Sequence, residues 1–418
     1  MSTIRPWRIT LQGAAALAAA MGVGRFVSTP ILPLMHAQAG LTVQLGSTLA
    51  TANYVGYLIG ALTGIALPKA VRSQAVLRAS LAAITVTLAL MPTTHSAAVW
   101  ITLRLLAGIA SALVFVVAVS AVLTALRAHG QHLTGWAFGG VGAGIALSGA
   151  LVLALQGADT WRQAWWLAAA LSLALTIPAW TLRTDPSPTN ATSTTSTPTT
   201  SAPEAAPLRP SRHFVALFAA YSLEGIGYII AGTFLVAAID QSAPRWAGTG
   251  AWVLAGIAAL PSSALWAWLG RVWSRPTLLA VALLIQAAGI ALPALVGGIG
   301  PALVSAAAFG ATFVGISTLT LATGAHLGTP RAVAVLTTGY SVGQIAGPLL
   351  VTPLLHNGYH EALLIAAAIL LAAAAAAGIA RHRFPHHLGP LPSRVRDRDQ
   401  RAADGEIPWI AEIVGGRG

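Results

Sequence analysis

The sequence predicts an all-α protein that crosses a membrane many times. Hydrophobic residues make up 56% of its 418 positions and charged residues only 8%, whereas charged residues are about a quarter of a typical soluble domain. The apolar residues form long runs, each close to the roughly 20 residues that a helix needs to cross a bilayer. A third observation, the one-sided distribution of arginine, gives the orientation of these runs.

Hydropathy and helix-breaking residues divide the chain into twelve predicted spans. They are 9–35, 47–68, 75–93, 97–126, 134–157, 162–182, 213–239, 247–270, 277–295, 300–325, 333–356 and 360–380. A segment rich in Thr, Ser, Pro and Ala separates the sixth span from the seventh, and such a composition cannot bury a core. We therefore predict four parts: an N-terminal six-helix bundle over 1–182, a flexible cytoplasmic linker over 183–212, a C-terminal six-helix bundle over 213–380, and a basic cytoplasmic tail over 381–418.

Lysine and arginine fall mostly on one side of the predicted membrane region. With both termini in the cytoplasm, the 23 basic residues all lie inside except Arg162 and Arg245, which lie outside, and Arg25 and Arg104, which lie within spans. This bias predicts that both termini are cytoplasmic, and we expect a multi-pass protein of the bacterial cytoplasmic membrane. The formal charge of +12 does not indicate a nucleic-acid partner, because the basic residues are scattered singly rather than clustered on one face.

The two predicted halves repeat each other. Three groups of residues recur at a nearly constant offset: GVGR at 22–25 with GIGY at 225–228, Gly108 with Gly310, and Gly140 and Gly144 with Gly339 and Gly343. Each match is short, but the matches come from separate spans and agree with one another. They indicate a duplicated six-helix unit, an arrangement in which substrate sites lie between the repeats.

Four local motifs carry a resemblance to a known family: GVGRFVSTPILPLM at 22–35, ANYVGYLIGAL at 52–62, RLLAGIASALVFV at 104–116 and GYSVGQIAGPLL at 339–350. With them, and over all its predicted spans, the chain resembles the YbfB/YjiJ-like branch of the major facilitator superfamily of secondary transporters. The resemblance implies two six-helix bundles around a central cavity, transport of a small solute by alternating access, a monomer, and export as the direction.

Some superfamily signatures are only partly present. The loop between spans 2 and 3 lacks the usual aspartate, and the glycines of the span-5 antiporter signature lack its proline, which weakens the inference of export. What remains of the two cytoplasmic loop signatures is Lys69 and Arg72 in the first half and Arg271 and Arg275 in the second.

Arg25 and Arg104 are the two cations at membrane depth. By helical rise, Arg25 lies ~24 Å from the start of its span and Arg104 lies ~10 Å below the outer surface. An arginine at such a depth costs roughly 2.5–3.5 kcal/mol on insertion scales unless it faces water or a partner. In helices that line the cavity in the superfamily, the two side chains suggest a pocket for an anionic or strongly polar substrate, or for a carboxylate that takes up a proton. The alternative is that they snorkel to the outer interface.

Glu224 is the single acidic residue in the middle of a predicted span. A carboxyl group in a low-dielectric site favours its neutral form, and a protonatable acid that faces a cavity is what a proton-coupled carrier requires. We therefore expect Glu224 to be the proton-coupling residue. A contact with substrate and a purely structural role are the alternatives.

Uncharged polar residues accompany these groups in the spans. Tyr221 and Tyr228 lie three before and four after Glu224, on the same helix face. Together with Arg25 and Arg104, the residues that we expect to line the cavity are Asn53, Tyr57, Tyr221, Tyr228 and Gln344. For the tyrosines, Tyr54 included, interfacial anchoring or core packing is an equal alternative.

Small residues and prolines mark close helix contacts or hinges. Glycine lets membrane helices approach closely, and proline can bend them. The residues expected in helix packing, with gating as the second role, are Gly108, Gly140, Gly144, Gly343, Gly347 and Pro348.

The function that we expect is secondary active transport of a small organic solute, coupled to protons and not enzymatic. No G-x-x-x-x-G-K-[ST] motif, HExxH spacing or G-x-S-x-G motif is present, so ATP hydrolysis, a zinc protease site and a serine hydrolase are not indicated. We expect no cofactor and no metal, and the partners are the solute, protons and the lipid bilayer. The alternative function is a membrane sensor or scaffold that has a transporter fold but no longer transports.

Overall fold

The computed structural model describes residues 6–67, 73–126, 129, 131–155, 161–184, 211–244, 246–327, 329 and 332–384, and the regular structure of these residues is helical. The α-helices are α1 Pro6–Leu17, α2 Ser28–Ala39, α3 Val43–Ala66, α4 Gln74–Leu90, α5 Ala97–Leu126, α6 Gln131–Ala154, α7 Trp161–Ala179, α8 Arg212–Ser242, α9 Trp246–Leu269, α10 Arg275–Leu295, α11 Ile299–His326, α12 Ala332–Val351 and α13 His360–Arg381. A π-helical segment, Ala18–Val23, joins α1 to the turn before α2, and 3₁₀ turns follow α4 and α12.

Ten helical segments of the described residues are long and apolar enough to cross a membrane. The first of these comprises α1, the π-helical segment and α2, and it runs from Pro6 to Ala39. Helices α3 and α7 occupy the two other positions where the sequence predicts spans. The predicted boundaries agree with the helices to within a few residues, whereas the exact twelve-span, two-bundle arrangement stays a prediction.

Polar residues just before several helices fix where those helices begin. The hydroxyl of Thr42 accepts a hydrogen bond from the amide of Leu45 at the start of α3, and Ser211 caps α8 in the same way through Phe214. Such caps satisfy amides that have no partner within the helix. Helix α2 ends just before Gly40, whose φ of +67° is a left-handed conformation that glycine adopts without strain.

Close contacts between helices explain the positions of the predicted packing glycines. A Cβ atom on Gly108 of α5 would overlap the carbonyl oxygen of Asn53 in α3, and one on Gly140 of α6 would overlap that of Ala14 in α1. The remaining packing glycines also lie against backbone atoms: Gly144 against Ala18, Gly343 against Ser222 and Gly347 against Ile226. Small residues allow this approach, and the structure places each of these glycines at a helix–helix contact.

Pro348 lies inside α12 and is buried. Its carbonyl oxygen accepts hydrogen bonds from the hydroxyl of Thr352 (2.6 Å) and from that of Ser47 in α3 (3.5 Å). The proline therefore stands where α12 meets a helix of the first half. Its role as a hinge stays a prediction.

Several predicted features fall largely or entirely outside the described residues. They are most of the linker 183–212, most of the tail 381–418, and the loop residues Lys69 and Arg72. Helix α8 begins at Arg212, the last residue assigned to the linker. Of the loop residues in the second half, Arg271 is exposed, and Arg275 donates a hydrogen bond to the carbonyl oxygen of Ala322 over 3.4 Å.

Candidate functional site

The site begins with a break in the first membrane segment. In the π-helical segment Ala18–Val23 and just after it, amides bond to carbonyls five residues back, as the amide of Gly24 does over 2.9 Å. The amide of Thr29 bonds to the carbonyl of Phe26 (3.1 Å), three residues back, and so does not satisfy the carbonyl of Arg25. The break thus leaves carbonyl groups inside the protein that require other donors.

Arg104 supplies these donors from α5. Its Nη1 donates to the carbonyl oxygen of Gly24 and its Nη2 to that of Arg25, both over 3.0 Å, with the hydroxyl of Ser28 at 3.4 Å from Nη2. The rigid fork of a guanidinium group suits two adjacent acceptors. The amide of Asn53 in α3 donates to the carbonyl of Arg104 itself (3.0 Å). Arg104 therefore holds backbone in place at the break, and Asn53 links α3 to the backbone of Arg104.

Arg25 connects the first half of the chain to the second. Its Nη2 donates to Oε1 of Gln344 on α12 (2.7 Å), and Nε2 of Gln344 donates to the hydroxyl of Tyr228 on α8 (2.6 Å). The guanidinium also lies over two rings of α3, 4.2 Å from the centroid of Tyr57 and 5.1 Å from that of Tyr54. Such cation–π contacts are stronger where the cation is desolvated. Predicted site residues from three separate helices thus meet at Arg25.

A group of nearly parallel aromatic rings extends from this contact; we call it the aromatic stack. It runs from Tyr221 to Tyr340 (centroids 4.3 Å apart), to Tyr228 (5.4 Å), to Phe313 (6.0 Å) and to Phe309 (5.4 Å). The angles between successive ring planes are between 3° and 16°. Tyr221 and Tyr228 belong to the predicted site, whereas the sequence interpretation missed the other three rings.

A signal for one missed ring is present in the sequence. Tyr340 lies four residues before Gln344, and residues four apart share a helix face. Phe309 and Phe313 are likewise four apart on α11. Their spacing is also that of ordinary core residues, so only the tertiary contact with Tyr228 identifies them as part of the site.

Glu224 is completely buried, and neither carboxyl oxygen has a hydrogen-bond partner among the described residues. The structure therefore does not pair Glu224 with Arg25 or Arg104. An unpaired carboxylate in such a place is costly. The role of Glu224 in proton coupling stays a prediction.

The position of the arginines bears on the snorkelling alternative. Arg25 and Arg104 are each 2% exposed, and their guanidinium groups contact carbonyls, an amide and aromatic rings within the protein. A snorkelling side chain extends its head group into water. Their contacts are instead those of residues built into the protein interior.

A cavity of about 370 Å³ opens at the end of the molecule that the predicted topology places outside. Its wall comes from both halves of the chain and includes Thr29, Leu32, Pro33, His36, Leu41, Thr42, Val43, Gly46, Thr233, Phe234, Ala237, Asp240, Gln241, Leu355, His356, Gly358 and Tyr359. We call it the outer cavity. None of the predicted site residues lines it, and the sequence interpretation did not anticipate it.

Two hydrogen bonds between the halves lie between the outer cavity and Arg25. The hydroxyl of Thr29 donates to the carbonyl oxygen of Gly232 (2.6 Å), and the hydroxyls of Tyr54 and Thr233 are 2.9 Å apart. Thr29 and Thr233 line the cavity, whereas Tyr54 lies beside Arg25. The hydrogen bond between Tyr54 and Thr233 thus connects a residue beside Arg25 to the wall of the outer cavity.

Among the described residues, no group of three or more His, Cys, Asp or Glu side chains is arranged to hold a metal ion. The polar groups at Arg25 are a guanidinium, an amide and phenol hydroxyls, which recognise anions and polar organic groups rather than cations.

Comparison with known proteins gives two results. The family profile described as "Uncharacterised MFS-type transporter YbfB" matches residues 17–378. Among solved structures, the chain is similar to a mutant of the nucleoside transporter NupG, with 15% sequence identity and a TM-score of 0.63 over 90% of this chain and 100% of that one. At this identity the likeness concerns the fold alone. No curated protein sequence matches the chain at a significant level.

Proposed function

The chain belongs to the YbfB family of MFS-type transporters, and we propose that it exports a small organic solute across the cytoplasmic membrane by alternating access, coupled to protons. The observation that carries this proposal is the buried chain of hydrogen bonds from Arg25 through Gln344 to Tyr228. It joins helices from both halves of the chain, and transporters of this architecture bind substrate between their two halves.

The outer cavity supports the alternating-access part of the proposal. A carrier must open its site to one side of the membrane while the other side is closed. We infer that the hydrogen bonds of Thr29 with Gly232 and of Tyr54 with Thr233 close the route from the outer cavity to Arg25. In the proposed cycle these bonds break when the site opens outward, and the outer cavity then becomes continuous with the site.

Glu224 is the proposed proton carrier. It is fully buried without a hydrogen-bond partner among the described residues, and α8 also carries Tyr221 and Tyr228 of the aromatic stack. A buried acid of this kind can take up and release a proton when its surroundings alternate between dry and wet. Export as the direction rests on the resemblance to the YbfB/YjiJ-like branch.

The test uses the purified full chain in proteoliposomes that enclose a pH-sensitive dye. Candidate solutes from several chemical classes are screened by counterflow, which requires no proton gradient. For a solute that exchanges, acidifying the outside should accelerate its efflux from right-side-out vesicles, and the dye should report protons entering. A protein that exchanges no solute of any class in counterflow would contradict the transport assignment.

The matched variant is Glu224→Gln, which keeps the shape of the side chain but cannot ionise. We expect counterflow to persist within about twofold, because exchange does not require deprotonation, and proton-driven efflux to disappear. Proton entry in this variant at the rate of the unmodified protein would exclude Glu224 as the coupling residue.

A further inference from the structure

We propose that the transported solute is an aromatic anion, such as an aromatic carboxylate, whose negative group binds Arg25 and whose ring packs against the aromatic stack. The proposal rests on the proposed function and specifies the chemical class of the solute. It depends on two features of the same place, an uncompensated charge and a set of parallel rings.

The charge of Arg25 is not balanced by its protein partners. The guanidinium donates to the neutral amide of Gln344 and lies over the rings of Tyr57 and Tyr54. Its Nε atom is buried and has no hydrogen-bond partner among the described residues. A buried cation without a counter-charge is unfavourable. A ligand that supplies a carboxylate would balance the charge and can accept two hydrogen bonds from one guanidinium group.

Gln344 occupies the place that such a carboxylate would take. Its Oε1 accepts from Arg25, and its Nε2 donates to Tyr228 over 2.6 Å. An amide oxygen is a weaker acceptor for a guanidinium group than an ionised carboxylate. An anionic ligand can therefore displace Gln344 from Arg25 and leave the amide bonded to Tyr228.

The rings beside this contact favour a ligand with an aromatic ring. Tyr228 connects the amide of Gln344 to the aromatic stack, and its neighbours Tyr340 and Phe313 lie 5.4 and 6.0 Å away. These separations are ordinary for offset-stacked aromatic pairs, and the parallel planes present the geometry that the ring of a ligand would adopt. A stacked aromatic pair gains affinity of roughly two- to tenfold beyond the burial of its surface.

Three matched ligands separate the two features. Benzoate has a ring and a charge, cyclohexanecarboxylate has the charge without aromaticity, and benzamide has the ring without the charge. We expect titration calorimetry on the detergent-solubilised full chain to show that benzoate binds about tenfold more tightly than cyclohexanecarboxylate. We expect benzamide to bind more weakly still, because it cannot balance Arg25.

Two Phe→Leu variants test the aromatic stack. Phe313→Leu removes a ring that lies parallel to Tyr228, and Phe138→Leu removes a ring that contacts Phe115 elsewhere in the first half. We expect Phe313→Leu to reduce the preference for benzoate over cyclohexanecarboxylate at least threefold and Phe138→Leu to leave it unchanged. Arg25→Gln should remove the preference for benzoate over benzamide.

The result that would overturn the proposal is equal binding of benzoate, cyclohexanecarboxylate and benzamide, or no binding of any of them. The same conclusion would follow if the counterflow screen identified a solute without a ring or without a negative charge. That outcome would leave the transport assignment intact. Absence of counterflow for every class would contradict transport itself, so the two failures are distinguishable.

Discussion

At the scale of single residues, the two membrane arginines differ in what they bind. Arg104 donates to the backbone carbonyls of Gly24 and Arg25, so it holds the broken first segment in shape. Arg25 donates to the side chain of Gln344 on α12, and we propose that the solute replaces this partner. We therefore expect Arg104 to stabilise the fold and to hold the first segment in position, and we expect Arg25 to bind the solute.

Replacing Arg104 with lysine should separate charge from geometry. Lysine keeps the positive charge, but its ammonium cannot reproduce the planar fork that reaches two carbonyl oxygens. We expect the free energy of unfolding to fall by about 2 kcal/mol, the order of one charge-assisted hydrogen bond. Thermal unfolding of Arg104→Lys and of the unmodified chain in the same detergent measures this difference in stability. Arg162→Lys is the control, because Arg162 is exposed and contacts His95 at the surface. Equal stability of the two variants would contradict a stabilising role for the hydrogen bonds of Arg104 to Gly24 and Arg25.

The sequence allowed the two arginines to be identified but not their partners. A charge inside an apolar run is visible in the sequence, so Arg25 and Arg104 could be predicted as special. The acceptors of Arg104 are backbone carbonyls, which carry no sequence signal. Gln344 could be predicted as a polar residue in a span, whereas its pairing with Arg25 depends on how α12 packs against the first half.

At the scale of secondary-structure elements, glycine sets how closely the helices approach. Gly140 of α6 lies against the carbonyl of Ala14 in α1, whereas a Cβ atom on Gly378 of α13 would meet no other group within 4 Å. Replacing glycine with alanine is therefore expected to cause a steric clash at position 140 but not at position 378. A glycine in a helix therefore marks a close helix contact only where another helix lies against it.

We expect Gly140→Ala to lower the free energy of unfolding by about 1–3 kcal/mol, because the added methyl group forces α6 away from α1. Gly378→Ala should be neutral or stabilise by up to about 1 kcal/mol, since alanine favours the helix. Thermal unfolding of both variants in one detergent gives the comparison. A Gly140→Ala protein as stable as the unmodified chain would show that α6 and α1 are not in close contact.

The break in the first segment shows where prediction of elements from sequence fails. The sequence predicts one span over 9–35, and the prolines within it are Pro30 and Pro33. The structure instead has a π-helical segment at Ala18–Val23, where the sequence contains no proline. Arg104 in α5 donates to the carbonyls of Gly24 and Arg25 after it, and the hydroxyl of Ser28 donates to that of Arg25 as well. The irregularity therefore depends in part on tertiary structure.

At the scale of the whole molecule, corresponding glycines make corresponding contacts in the two halves. Gly108 lies against the carbonyl of Asn53, and Gly310 lies against that of Ala255 at the same offset along the chain. Gly144 contacts the first membrane segment, and its counterpart Gly343 contacts α8. These repeated contacts support our proposal that the two halves derive from one duplicated unit, which the sequence suggested through short glycine matches.

The predicted orientation can be tested because the chain contains no cysteine. Single cysteines are introduced at Ser96, which is exposed between α4 and α5, and at Val272, which is exposed between α9 and α10. In intact cells a membrane-impermeant thiol reagent should label Ser96→Cys only, because the bias of arginine places the 272 loop in the cytoplasm. Labelling of Val272→Cys without permeabilisation would reverse the topology.

The proposed mechanism requires that a water-filled passage between the two halves reaches Arg25 from alternate sides. Thiol accessibility of Tyr57→Cys probes this passage, because the Tyr57 ring lies 4.2 Å from the Arg25 guanidinium. Leu81→Cys is the control, since Leu81 is fully buried on α4. We expect an impermeant reagent to modify Tyr57→Cys from either side of oriented vesicles and to leave Leu81→Cys unmodified. A Tyr57→Cys protein that stays as inert as the control from both sides would rule out alternating access to Arg25.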